Sequence, residues 1–445
     1  MTNRAWFRVH SWLGVMSGLL LFVICWSGTV ATLSHEIDWL VNPALRVEPR
    51  SDRAAWSDMV AAVQAAVPNG TVSRLNEQRG PRWAAEAWVQ APDDRSLRVY
   101  VDPYTARVQG VTSYFNVERF FRSFHMMLFL PYPAGAYLVT AFGFLLLTSM
   151  AAALVFYKRW WQRFLEVRAH RSGRVRWSEL HKAGGLWSLW FVLLIGITGV
   201  WYFVEQFGTD LVDPDFAYPA PPELARASAV DLPLDELVQR GLALRPDLRL
   251  GGIGFPAGAS AGLLYMDGQA GHVLVRDRAN KLYLDMADGS MVLNQSAADL
   301  NALERWIETA DPLHFGNFGG LLTKIIWFVF GLLLSALCLT GAYLHAQRLA
   351  REAGALGRAR WHGTFAAVGT TSAILIGSMY YGAHELRDYG PLVNGLRELP
   401  DVPLGVTLFL AGWLLVTIGA VVWWIWLLRR RAAPASMRMA SGAVT

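Results

Sequence analysis

The chain has 445 residues, 53% hydrophobic and 17% charged, with 20 tryptophans, a balance that a single water-soluble core does not need. The net charge of +5 comes from basic loops between apolar runs, so it is no argument for a nucleic-acid partner. Cys25 and Cys338 are the only cysteines and both lie inside apolar runs, which excludes by count a disulfide framework, an iron–sulfur cluster and a thiolate zinc site.

Six uncharged apolar runs, 12–33, 126–157, 183–204, 325–344, 363–383 and 402–428, each reach the roughly 20 residues a helix needs to cross a bilayer. They predict a polytopic α-helical membrane protein with six spans. Helix 1 occupies 1–34, an outer segment 35–130, helix 2 131–161, a basic loop 162–182 and helix 3 183–206. A second outer segment fills 207–320, then helix 4 321–347, a loop 348–361, helix 5 362–383, a short loop 384–401, and helix 6 with the tail 402–445. Lys and Arg collect before the first run, in the loops after the second and fourth, and after the sixth: Arg4 and Arg8, Lys158 and Arg159, Arg348 and Arg351, Arg429 and Arg430. Short loops rich in these residues stay in the cytoplasm, so both termini are expected there and the two long segments in the periplasm of a bacterial inner membrane. The first run has the basic start of a signal peptide, but it is long and lacks a small-residue cleavage site, so it reads as a retained anchor.

The two outer segments read as similar α+β modules. The first has a helical stretch at 56–67 and strand patterns at 83–89 and 97–101; the second has a helical stretch at 234–244 and a strand pattern at 262–266. In each, an apolar strand meets an Asp-led turn, at Asp102 and at Asp285, and returns as a hairpin.

The apolar runs repeat too. His10 precedes Gly14 by four residues and Gly28 by eighteen, and His181 precedes Gly185 and Gly199 by the same spacings; His125 precedes Gly143 by eighteen and His314 precedes Gly331 by seventeen. The pattern is a tandem duplication of helix, outer module, helix. It places His10 and His181 at the cytoplasmic ends of helices 1 and 3, and His125 and His314 at the periplasmic ends of helices 2 and 4. Imidazoles on facing helices, with small residues one turn away, suit two bis-histidine b-type haems, one near each face. Gly14, Gly18, Gly184 and Gly185 supply room for the macrocycle or for close helix packing. The alternative for any single histidine is an interfacial polar residue bonded to carbonyls or headgroups.

His345 and His362 are secondary candidates for the inner haem or a donor site. His35-Glu36 and His384-Glu385 are weaker metal candidates, His170 and His272 read as surface residues, and Met126 and Met127 read as apolar filling beside His125. Trp187, Trp190 and Trp201 either bridge the haems or pack against lipid. No Gly-rich dinucleotide or phosphate loop is present, so a flavin, nicotinamide or quinol donor must bind transiently or on another protein.

The stretches Val9-His10-Ser11-Trp12-Leu13-Gly14, Phe124-His125-Met126-Met127-Leu128, Glu179-Leu180-His181-Lys182-Ala183-Gly184-Gly185-Leu186-Trp187 and Asp311-Pro312-Leu313-His314-Phe315-Gly316 resemble the PepSY-associated transmembrane helix family, over residues 4–348. The resemblance implies a four-helix haem core with two periplasmic PepSY modules. It also implies an oxidoreductase with two b haems on His10, His125, His181 and His314, which takes electrons from an unidentified cytoplasmic or membrane donor and reduces ferric siderophore to release iron for uptake. Two readings compete with it: a membrane-anchored PepSY module that binds or regulates a partner without redox chemistry, and a siderophore or iron transporter. Two further helices, 363–428, depart from the smaller family members and carry no assigned role.

Overall fold

The structure is a computed structural model that describes residues 2–165, 173–224, 231–271, 274–356 and 362–432. His170 and His272 lie outside the described residues.

The chain opens with α1 (Asn3–Met16), α2 (Gly18–Ala31) and α3 (Ser34–Val41). The first outer unit holds α4 (Trp56–Ala66) and strands β1 (Thr71–Asn76), β2 (Ala85–Gln90), β3 (Ser96–Val101) and β4 (Val108–Ser113), and α5 (Val117–Met127) leads from it into α6 (Ala134–Phe156). The second half repeats the order: α7 (Gly173–Trp187), α8 (Leu189–Leu211), α9 (Leu234–Leu244), β5 (Arg249–Gly254), β6 (Leu263–Gln269), β7 (Lys281–Asp285), β8 (Met291–Gln295), α10 (Ala302–Phe315) and α11 (Gly320–Leu356). A last hairpin adds α12 (His362–Asp388), the short β9 (Leu392–Val393) and β10 (Leu396–Arg397), and α13 (Leu404–Ala432).

Among the described residues, α6, α8, α11 as far as Arg348 and α13 as far as Trp426 are long and apolar enough to cross a membrane. α1 and α2 qualify together as a fifth span, bent by 66°. The bend falls at Ser17-Gly18, where the Ser17 hydroxyl donates to the Leu13 carbonyl at 2.6 Å, a pairing that loosens a helix. Ser188 ends α7 in the same way, donating to the Gly184 carbonyl at 2.7 Å. The described residues therefore carry four or five such spans where six are expected. α12 contains the missing one, and Thr370, Thr371, Ser372, Ser378, Tyr380 and Tyr381 dilute its apolar residues.

The halves interlock in the membrane. α2 packs on α11, where Gly331 abuts Thr29, and α8 packs on α6, where Gly143 lies so near Gly199 that a Cβ would sit 2.8 Å from the Val200 nitrogen.

The outer units also join, which the sequence pattern did not suggest. β1 pairs with β5 antiparallel, Leu75 opposite Ile253, and the sheet runs β4-β3-β2-β1-β5-β6-β7-β8 without a break. One apolar cluster underlies both units: Val63 of α4, Leu237 of α9, Leu75, Ile253 and Met266 are all fully buried within it. Each such side chain contributes about 1.5–3 kcal/mol, so the two units stabilise one another. Asp235 of α9 accepts from the Trp56 backbone N–H at 2.8 Å and caps α4 across the join, while Arg74 pairs with Asp267 at 2.7 Å. The expected Asp-led turns form: Asp102 accepts from the Tyr104 N–H and Asp285 from the Ala287 N–H, each at 2.9 Å.

α3 anchors α5. The two carboxylate oxygens of Asp38 accept from the Val117 and Glu118 N–H groups at 2.9 Å each, satisfying donors that a helix start leaves free. Burial pushes this carboxyl up to about 7, against the pull of those two N–H groups and Arg98. With a folded value above the unfolded one, the folded state holds the extra proton between roughly pH 4 and 7, so stability falls as pH rises through that window, by up to about 4 kcal/mol. Asp38→Asn, although less stable throughout, should lack that part of the slope in thermal melts followed across the same window.

Candidate functional site: two facing histidine pairs

The four histidines singled out by the repeat come together in two pairs, each drawing one member from each half. His10 of α1 faces His181 of α7 with ring centroids 6.4 Å apart and planes at 61°. His125 of α5 faces His314 of α10 at 6.1 Å and 38°. The second pair sits next to the sheet; its residues lie on the short helices α5 and α10, which precede the spans α6 and α11, rather than on the spans themselves.

Hydrogen bonds fix the state of every ring. The Nδ1–H of His10 donates to the Ser149 carbonyl at 2.9 Å, and that of His125 to the Ile24 carbonyl at 3.0 Å. His181 meets the Thr340 hydroxyl at 2.9 Å and His314 the Thr198 hydroxyl at 2.7 Å. Both hydroxyls spend their own protons one turn back, on the carbonyls of Ala336 and Leu194, so they accept from the imidazoles. This arrangement puts the proton on all four Nδ1 atoms, and among the described residues no hydrogen bond engages any of the four Nε2 atoms. This is the tautomer and outer-shell support a metal-ligating histidine requires.

Two imidazoles bound end-on to one iron, with metal–nitrogen bonds of about 2.0 Å, place their centroids roughly 6 Å apart, and both pairs match. The surroundings fit a flat macrocycle at the pair away from the sheet. Gly14 and Gly185 lie one turn from His10 and His181, and a Cβ on either would meet nothing within 4 Å. At the sheet-side pair Gly28 lies under the His125 ring, where a Cβ would come to 2.5 Å of Cε1. Gly18 and Gly184 instead pack against α11, at Ala342 and Leu333.

Arginines tie each sheet-side helix to the outer unit, one to α5 and two, Arg276 and Arg278, to α10. Arg98 of β3, 3% exposed, pairs with Glu86 at 2.6 Å and with Glu118 of α5 at 3.0 Å, and lies 4.2 Å over the Tyr114 ring. Arg276 pairs with Glu308 of α10 at 2.8 Å and with Asp311 at 3.0 Å, and Asp311 accepts from the Tyr202 hydroxyl at 2.5 Å.

The last two helices, unassigned in the sequence, clamp α5. Glu385 of α12 accepts from Ser123 at 2.5 Å, Tyr389 accepts from Arg119 at 2.6 Å, and Trp413 of α13 meets Phe120, Phe121 and Phe124 edge to face. α10 has no such cover among the described residues.

Other candidates fall elsewhere. Nδ1 of His345 accepts from Arg348 at 2.9 Å and lies 2.8 Å from the hydroxyl of Ser11, the neighbour of His10. His362 opens α12, and its side chain lies outside the described residues. Glu36 pairs with Lys324 at 2.8 Å, His384 is exposed against Tyr380, and Met126 is exposed. No group of three or more ligating side chains occurs among the described residues. Trp190 packs with Phe191, Trp327 and Phe330, and Trp327 donates to the Leu313 carbonyl beside His314 at 2.9 Å. Trp201 packs on Trp306, and Trp187 donates to the Phe164 carbonyl. Ser149 and Thr340, which hold two of the four rings, escaped sequence reasoning; only their similar distances after His125 and His314 could have marked them.

Comparison with known proteins places this architecture. A relative from Pseudomonas aeruginosa, the uncharacterised protein PA4219, is 28% identical over 247 residues, which is 51% of this chain and 62% of that protein; the match thus spans less than two thirds of the relative. The profile of the PepSY-associated TM region matches residues 7–348, through all four paired histidines and short of α12 and α13. The chain belongs to the PepSY-associated transmembrane family.

Proposed function

We propose that the protein is a di-haem b-type electron-transfer protein of the bacterial inner membrane that reduces ferric siderophore in the periplasm, so that iron is released as Fe(II). The observation that carries this reading is the pair of imidazole couples at 6.4 and 6.1 Å with every Nδ1 engaged and no Nε2 hydrogen-bonded among the described residues. His10 with His181 would hold one haem on the cytoplasmic side, and His125 with His314 the other on the periplasmic side. Haem held there supplies one-electron Fe(III)/Fe(II) chemistry.

The chain's own residues set the conditions. Ser149, Thr340, Ile24 and Thr198 orient the ligands and raise their basicity. Trp327 and Phe330 fill part of the apolar interior with polarisable rings, and Trp190 packs on them from outside. The polar group of Ser11, His345 and Arg348, beside His10, would meet a donor approaching from the cytoplasmic side. Reduction favours release because oxygen-rich siderophores suit hard Fe(III) better than Fe(II).

The test is a single-turnover experiment: chemically reduced protein in nanodiscs, mixed anaerobically with a ferric hydroxamate siderophore and an Fe(II) trap. Reoxidation of the protein in step with Fe(II) capture is expected. A protein that stays reduced with each ferric siderophore tried contradicts the acceptor assignment.

A further inference from the structure

Beside the sheet-side pair is a concentration of positive charge that the site described so far does not use. Arg122 lies on α5 one turn before His125, and Arg79 lies on the loop between β1 and β2; both are exposed, and among the described residues neither has a carboxylate partner. That loop is held over α3, since Trp39 donates to the Arg82 carbonyl at 3.0 Å and packs on Trp83, and α3 in turn packs on α5. Lys324, at the start of α11 and with a side chain only 11% exposed, reaches Glu36 of α3. The second Glu36 oxygen is buried without a partner.

His35 lies among these groups without a hydrogen-bond partner among the described residues. Burial, and then the charges of Arg79, Lys324, Arg98 and Arg122, hold it neutral, well below its ordinary range. Arg98 is spent on Glu86 and Glu118. Of the others, Lys324 is paired with Glu36 and Arg79 also feels the Glu86 carboxylate already held by Arg98, while Arg79 and Arg122 form no ion pair among the described residues.

Among the described residues the second half has no equivalent. The residue one turn before His314 is Asp311, already engaged by Tyr202 and Arg276. Topology does not explain the excess either, because positive charge is favoured on the opposite face of the membrane. Guanidinium groups match carboxylates in a planar, two-point fit, and an ammonium adds a point charge.

We propose that Arg79, Arg122 and Lys324, with His35, form a carboxylate-binding site beside the sheet-side histidine pair. The carboxylates come from one of two sources, the propionates of a haem held by His125 and His314, or an anionic iron chelate. The first source rests on the function proposed above; the second does not.

The experiment uses full-length protein in nanodiscs and the double variant Arg79→Gln/Arg122→Gln, with Arg122→Lys as the charge-keeping control. In a His10→Ala background, which leaves the sheet-side pair to load, affinities for haem and for haem dimethyl ester are compared; citrate binding is measured separately by calorimetry. A preference for haem over its ester of about tenfold or more, lost in the double variant and kept in Arg122→Lys, supports the site with propionates as its ligand. Equal affinity for haem and ester, with citrate binding that weakens about tenfold in the double variant, supports the site with a chelate as its ligand. No ester discrimination together with citrate binding that is absent or unchanged in the double variant overturns it. Protein that takes up no haem at all defeats the function proposed above, and the citrate measurement still decides the anion site.

Discussion

On the di-haem function proposed above, Gly28→Val should abolish haem binding by the sheet-side pair and leave the other pair loaded. A Cβ at position 28 would lie 2.5 Å from Cε1 and 2.9 Å from Nδ1 of the His125 ring, distances no real contact tolerates. The ring cannot simply retreat, because its Nδ1–H is held by the Ile24 carbonyl on the same helix and α5 is clamped from behind by Trp413 and Glu385. His125 must leave its place opposite His314, and with one ligand misplaced the coordinate geometry fails. Overpacking of this kind costs about 1–3 kcal/mol in stability, which the fold can absorb. Haem content should therefore fall by about half, with the His10–His181 site keeping its spectrum. Gly412→Ala on α13, where a Cβ meets nothing within 4 Å, should change neither.

Arg98→Met should be the most destabilising single change in the outer unit. It removes the cation between two carboxylates whose side chains are only 17% and 19% exposed, leaving Glu86 and Glu118 to repel one another. Breaking a buried pair from one side costs about 3–5 kcal/mol, most of it the penalty of the abandoned charge. Glu118 stands in the first turn of α5, so the loss also slackens the helix that carries His125. Arg98→Met should lower the melting temperature by several degrees or more and weaken retention of the sheet-side haem. The double variant Arg98→Met/Glu86→Gln should recover part of the stability, since one stranded charge is gone.

The candidate site was more legible in the sequence than the fold that carries it. Matching intervals from His10 to Gly28 and from His181 to Gly199 marked a duplication, and the duplication implied which histidines face each other. Periodicity of apolar residues found the long runs, because a bilayer sets their length. It overstated the span at 363–383, where the run is uncharged but rich in Thr, Ser and Tyr. It also missed α3, α5 and α10, short amphipathic helices whose apolar faces pack on neighbours distant in sequence. The joining of the outer units at β1 and β5 was hidden for a related reason. Residues Leu75 and Ile253 look like ordinary strand positions, and nothing in either stretch names its partner. The clamp of α12 and α13 on α5 depends on Glu385, Tyr389 and Trp413 meeting residues more than 250 positions earlier, a match only the folded chain brings about.

The proposed function depends on four imidazoles gripping two iron porphyrins. Pyridine-haemochrome stoichiometry on purified wild type, on His10→Ala, His125→Ala, His181→Ala and His314→Ala, and on the quadruple variant tests it directly. Two haems per chain are expected in the wild type, about one in each single variant and none when all four are replaced. Wild-type protein that stays colourless after expression with ample haem, or a quadruple variant that keeps its full pigment, would contradict it.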